Sequence, residues 1–237
     1  MKNAPILIVA HGQPSDPQKA EEELALLGRA LGALLPERAV ETATLAAPGV
    51  MAKKLAELGP GGRVYPLFMA GGWFTRVLLP KRLAEAGAAD WHVLEPMGCD
   101  PAVHDLAVRI VAEAGHVTQV VLAAHGSGQS PVPSDIAHHV AGLISARLGV
   151  AAQAALIDQS PRLAEVQAKE TGAVCLPFFA APGGHVTQDI PIALAEAGFA
   201  GRILPPLGLD PRLPALIAAA VRKGTLVCQE ECRWRRP

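Results

Sequence analysis

The chain lacks any apolar stretch near the ~20 residues that a bilayer-spanning helix requires. Its first apolar run, Ile6 to Ala10, is too short for a signal-peptide core and is followed at once by His11-Gly12. A cytoplasmic protein with no membrane role is expected. It also lacks a long basic run, and its formal net charge is −1. Nucleic-acid and anionic-surface binding both need a basic face, so neither is expected. Cysteine is sparse. Cys99, Cys175, Cys228 and Cys232 are scattered in a way that suits reduced thiols, not a disulfide framework. There is no G-x-x-x-x-G-K-[ST] phosphate loop and no G-x-G-x-x-G after a strand, which leaves a nucleotide-driven mechanism unsupported. There is no nucleophile elbow either. In Ala124-His125-Gly126-Ser127-Gly128 a histidine occupies the place of the first glycine in G-x-S-x-G. A hydrolase built on Ser127 or Ser130 remains conceivable, but nothing recommends it.

What is present is a half-domain written twice. Ile6-Leu7-Ile8-Val9-Ala10-His11-Gly12 is echoed by Val120-Val121-Leu122-Ala123-Ala124-His125-Gly126. Pro66-Leu67-Phe68 returns as Pro177-Phe178-Phe179, Leu83-Ala84-Glu85-Ala86-Gly87 as Leu194-Ala195-Glu196-Ala197-Gly198, and Pro96-Met97-Gly98-Cys99-Asp100-Pro101 as Pro206-Leu207-Gly208-Leu209-Asp210-Pro211. Matches in the same order point to internal duplication, and they fix the architecture before any local reading. With half of its 237 residues hydrophobic and 18% charged, the chain has ample material for a folded core.

Each copy alternates short apolar runs with longer amphipathic ones, the pattern of βαβ units. The expected fold is α/β: two similar lobes, residues 1–116 and 117–237, each a small, mainly parallel sheet flanked by helices. In the first, strands are expected at 6–10, 41–46, 64–69 and 92–94, with helices at 21–35, 50–58, 75–86 and 101–114. In the second, strands are expected at 120–124, 152–157, 173–179 and 202–204, with helices at 134–148, 161–169, 189–197 and 211–221.

Ligands of open parallel sheets bind beyond the carboxyl ends of the strands. His11 and His125 follow the first strand of each copy. Past the third strand, repeat matching sets Trp73 opposite His185, so only the second copy keeps two histidines. Each is a candidate metal ligand or proton acceptor, His125 in the small loop Gly126-Ser127-Gly128 and His185 after Gly183-Gly184. Either could instead tie down a strand end by bonds to backbone, but two at equivalent strand ends favour function. Asp189 is placed to cap the following helix, with Val77 as its counterpart. His11 reads as a ligand-facing residue or as a relic.

The strand-His-Gly-Ser start at Val120–Ser127, with Pro177-Phe178-Phe179 and Gly183-Gly184-His185-Val186-Thr187-Gln188-Asp189-Ile190-Pro191, resembles the class II tetrapyrrole chelatases, in the branch of sirohydrochlorin cobalto- and ferrochelatases of the CbiX/SirB type. The likeness covers nearly the whole chain, because the long form of that family is two fused short forms. It implies insertion of Co²⁺ or Fe²⁺ into sirohydrochlorin, for cobalamin or sirohaem synthesis. No ATP and no cofactor beyond the substrate metal are implied. His125 and His185 would be the catalytic, metal-handling residues. Asp158, near the end of the second strand, would help them bind metal. Ser127, Gly183, Gly184, His11, Trp73 and Arg76 are expected to contact the tetrapyrrole. The chain departs from the family in its first copy, where Thr44-Leu45-Ala46-Ala47-Pro48 carries no acid.

Neutral imidazole suits Co²⁺ and Fe²⁺ and accepts protons near neutrality, so the chemistry fits the residues independently. A non-catalytic tetrapyrrole or metal carrier is the alternative. Two fused copies fit either a monomer or a homodimer.

Overall fold

A computed structural model describes residues 3–229 and 232–235; Arg236, the end of the C-terminal basic cluster Arg233-Trp234-Arg235-Arg236, lies outside them. The first half of the chain builds β1 (Ile6–Ala10), α1 (Pro17–Leu34), β2 (Val40–Thr44), α2 (Val50–Leu58), β3 (Arg63–Pro66), α3 (Leu79–Glu85), β4 (His92–Val93) and α4 (Pro101–Glu113). The second half repeats the order with β5 (Gln119–Ala124), α5 (Val132–Leu148), β6 (Ala151–Leu156), β7 (Ala173–Pro177), α6 (Ile190–Glu196), β8 (Arg202–Ile203) and α7 (Leu213–Lys223). No helix among the described residues is long and apolar enough to cross a membrane.

Two separate four-stranded sheets result, in the orders β2-β1-β3-β4 and β6-β5-β7-β8. All named strand pairs are parallel. The inner strands β1 and β5 read as unbroken apolar runs because both faces of a helix-covered parallel sheet are buried. Ile6 to Val9 and Val120 to Ala123 are completely buried.

The compact units do not coincide with the sequence repeats. One unit comprises residues 1–100 and 211–230; the other comprises 101–210 and 231–237. The closing helices are therefore exchanged. α4 packs on α5 and β7 in the second unit, and α7 packs on α1 in the first. An apolar stripe on α4 (Val103, Leu106, Ala107, Val111) drives its docking. Hydrophobic repeats alone cannot say which copy such a stripe will cover.

Three local expectations change. Helix α1 starts at Pro17, four residues earlier than expected, because Asp16 caps it by accepting from the Lys19 N–H at 3.3 Å. Residues 161–169 form no α-helix. The Pro161 carbonyl accepts from Leu156 N–H and Arg162 bridges Leu156 as a parallel partner, so the backbone is spent on the edge of β6. Only a short 3₁₀ turn, Leu163–Glu165, follows. The helices expected at 75–86 and 189–197 are each preceded by a π turn, at Phe74–Leu78 and His185–Asp189. In each, the backbone N–H of the next residue reaches back five positions, Leu79 to Phe74 and Ile190 to His185. Pro80 and Pro191 follow directly. Having no N–H, they cannot continue the tighter ladder through this turn.

Cys175 lies in the middle of β7, fully buried, and burial pushes its thiol up to about 12. Native protein treated with a thiol reagent near pH 8 should leave Cys175 unmodified while the partly exposed Cys228 reacts. Peptide mapping after labelling checks this; Cys175 should react only once denaturant is added.

Candidate metal centre

The carboxyl ends of β5, β6 and β7 lie side by side, with β5 in the middle. The β5–β6 ladder runs past both strand ends: Ile157 N–H donates to Ala124 C=O and Asp158 N–H to His125 C=O, at 3.1 and 3.0 Å. That extension sets His125 and Asp158 next to each other. Gly126 then takes a φ of +79°, and a side chain there would press on Gln159. Gln159 accepts from the Ser127 N–H at 2.7 Å, which anchors the loop. The loop after β7 delivers His185 as the first residue of the π turn.

The two imidazoles meet edge to face, with ring centroids 4.5 Å apart and an angle of 89°. Their Nε2 atoms face each other at 3.1 Å. Behind each ring stands a carboxylate. Asp158 Oδ2 is 3.1 Å from His125 Nδ1, and Asp189 Oδ2 is 2.6 Å from His185 Nδ1. The Gly126 carbonyl also lies 3.1 Å from His125 Nδ1.

These partners decide the tautomers. A carbonyl and a carboxylate only accept, so the proton of each neutral ring sits on Nδ1. Both Nε2 atoms then present lone pairs to one another. Two lone pairs at 3.1 Å repel unless a proton or a metal ion lies between them. Two imidazole nitrogens on one tetrahedral divalent ion, at about 2.0–2.1 Å each, stand roughly 3.3 Å apart. The rings need part by only a few tenths of an ångström. All four side chains are 44–48% exposed, so a ligand can reach them.

Among the described residues no group of three or more His, Cys, Asp or Glu side chains is arranged to hold a metal ion. The face offers two nitrogen donors. Asp158, expected as a third ligand, lies on the Nδ1 side of His125, away from the Nε2 pair. Asp189 was expected to cap a helix and makes no side-chain cap bond. The helical segment begins at His185 instead, which leaves Asp189 one turn along and pointing back at the ring. The signal was in the sequence as His-x-x-x-Asp, the spacing at which helical side chains meet. Ser127 and Gly183 serve loop geometry: Ser127 Oγ accepts from the Gln129 N–H, and the Gly183 carbonyl accepts from the Val186 and Thr187 N–H groups. Gly184 precedes the π turn in helical conformation.

The first unit shows what replaces this arrangement. The offset that pairs Pro66 with Pro177 and Leu83 with Leu194 pairs Phe74, not Trp73, with His185, and the two π turns begin at those residues. Trp73 stands opposite Gly184, and Leu78, not Val77, opposite Asp189. Ring packing agrees. His11 meets Phe74 edge to face at 4.9 Å, as His125 meets His185. Phe68 lies 5.8 Å from Phe74, as Phe179 lies 6.3 Å from His185. Gly71-Gly72 resembles Gly183-Gly184 one residue out of register: at the structural offset only Gly72 has a glycine partner, Gly183, and Gly71 stands opposite Pro182. The ladder bond from Ala46 N–H to His11 C=O places Ala46 where Asp158 stands. Of the four site residues, only the histidine after the first strand persists. Arg76 belongs to the same π turn as Phe74; it lines a cleft of about 280 Å³ with Thr75, Trp91, His92 and Val227, and its guanidinium also lies beside Gly71 in the loop after β3.

Two four-stranded parallel sheets, each flanked by helices, define a duplicated α/β class of chelatase-like fold. The CbiX family model matches residues 5–114 and again 119–224. The chain belongs to the CbiX family. Among solved structures it is similar to the CbiX described as the terminal enzyme for biosynthesis of siroheme in denitrifying bacteria, at 39% identity and a TM-score of 0.85, over 92% of this chain and 98% of that one. It also shares its fold with two SirB structures. One, from Bacillus subtilis with Fe³⁺, has 16% identity and a TM-score of 0.74, over 95% of this chain and 96% of that one. The other is the sirohydrochlorin chelatase SirB from Bacillus subtilis subspecies spizizenii with cobalt, at 19% identity and a TM-score of 0.71, with the same coverage. No curated protein matches.

Asp189→Asn should weaken Co²⁺ binding about 10- to 100-fold, because an amide can donate to Nδ1 and favour the wrong tautomer. Calorimetric titration checks this. Phe74→His combined with Ala46→Asp and Leu78→Asp should create a second Co²⁺ site in the same titration, whereas Trp73→His with the same two aspartates should not.

Proposed function

We propose that the chain is a sirohydrochlorin chelatase that inserts a divalent ion, Co²⁺ or Fe²⁺, at the His125–His185 pair. The facing Nε2 atoms are the observation that carries this reading. Insertion exchanges two pyrrole protons for one M²⁺, so a catalyst must both hold the ion and accept protons. Two unprotonated imidazole nitrogens do both. With the ion bound, each Nε2 replaces a water and leaves the remaining coordination positions for the macrocycle. Two donors hold the ion less firmly than the four macrocycle nitrogens do, so transfer runs toward the macrocycle. Once the ion has left, the same nitrogens accept the displaced protons. Asp158 and Asp189 keep the rings turned and balance the positive charge that each then carries. They act as positioning residues, not as ligands.

The loops holding Ser127, Gly183 and Gly184 border this face and contact the tetrapyrrole in this reading; His11, Trp73 and Arg76, which belong to the first unit, are assigned macrocycle contacts on that unit's own strand-end edge. No ATP step is included, in keeping with the lack of a phosphate loop in the sequence. The product serves sirohaem or cobalamin synthesis. A cytoplasmic setting fits four free thiols. Either a monomer or a homodimer is compatible with the reading.

An absorbance time course with sirohydrochlorin and Co²⁺, or Fe²⁺ without oxygen, tests it. Metallation should run faster with protein than without, and His185→Ala should reduce it to the uncatalysed rate. Unchanged turnover in His185→Ala would remove that residue from the mechanism. Macrocycle binding without faster insertion would make the protein a carrier.

A further inference from the structure

We infer that the strand-end face of the first unit binds the metallated macrocycle, with His11 Nε2 as its single axial ligand and Trp73 and Phe74 as its aromatic bed. The inference rests on the chelatase reading for the identity of the macrocycle. His11 is exposed, and its Nδ1 lies 3.0 Å from the Gly12 carbonyl. A carbonyl only accepts, so the proton is on Nδ1 and Nε2 carries the lone pair. Nε2 makes no hydrogen bond among the described residues. The ring is held from the side by Phe74, which is itself backed by Phe68. Trp73 packs edge to face against Phe74 at 5.3 Å and leaves 54% of its surface exposed; Val77, one turn on, is 50% exposed.

This combination suits one kind of ligand. A hydrated ion is a poor match, because a single imidazole with no second donor and no carboxylate behind it competes weakly with water. Phe74, Ala46 and Leu78 have removed all of those. A metal already held by four macrocycle nitrogens is different: its in-plane positions are filled and an axial position is open to one neutral nitrogen. The planar conjugated ring around it matches exposed aromatic surface. The free macrocycle offers the stacking alone. The face therefore prefers metallated over metal-free macrocycle, a preference that the two-histidine face of the second unit does not need for insertion.

The test uses full-length protein with His125→Ala and His185→Ala together, titrated with cobalt sirohydrochlorin and, separately, with metal-free sirohydrochlorin. The metallated form should bind more tightly and show the absorption shift of an added axial nitrogen. Adding His11→Ala should abolish that shift and erase the preference, whereas adding Trp73→Ala should weaken both forms alike and keep the shift. Circular dichroism confirms that each variant is folded, and His11→Gln provides a second variant of near-native volume. An unchanged shift in folded His11→Ala or His11→Gln protein, or equal affinity for the two forms before His11 is replaced, would overturn the inference. Wild-type insertion is assayed in parallel: if wild type metallates sirohydrochlorin and the His11 variants bind product normally, only this inference fails. If wild type does not metallate it, the chelatase reading fails separately.

Discussion

Two imidazole nitrogens 3.1 Å apart, each with its proton held on the far side of its ring, leave a gap that favours a cation. The surrounding structure serves that gap. Asp158 and Asp189 accept the Nδ1 protons, Gly126 adds a carbonyl on one side, and the π turn swings His185 back across the mouth of β7. The rings stay near half exposure, where an exchangeable ion can enter and leave. A buried, fully ligated site would hold its metal; a pair of donors at a strand edge can give it up.

Duplication explains why the same backbone frame appears with two chemistries. Both units extend their inner ladder past the strand end, both insert a π turn before a proline, and both set an aromatic or imidazole ring edge-on to the strand-end histidine. The frame is thus common to both units, which differ at three of the four positions: Phe74 for His185, Ala46 for Asp158 and Leu78 for Asp189. Phe74 fills the place of His185 as a ring of similar shape, so the first unit keeps its packing while losing its second donor. Ala46 and Leu78 remove two carboxylates that would have no imidazole to orient.

Most of the architecture was legible because parallel strands buried on both faces must be continuous apolar runs, and β1 and β5 are just that. The pairing of His125 with His185 was legible for the same reason: both follow strands whose ends the parallel topology brings together. Three features were not. The role of Asp189 depended on a π turn, which carries no hydrophobic period of its own and reads like the start of an ordinary helix. The correspondence of Phe74 with His185 was hidden by a glycine pair that aligned more readily in the wrong register. The exchange of α4 and α7 is a long-range choice between two similar apolar surfaces, and a local pattern contains no information about it.

A cation between the rings requires both Nε2 atoms unprotonated, since Nε2–H on either ring would block it. Nitrogen-15 NMR of the metal-free protein with labelled histidine reads the tautomers directly. The arrangement predicts Nδ1-protonated neutral rings for His125 and His185, identified against His125→Ala and His185→Ala spectra. An Nε2–H tautomer at either residue would contradict the account, because the facing pair would then be a hydrogen bond between the two rings and not a place for a metal.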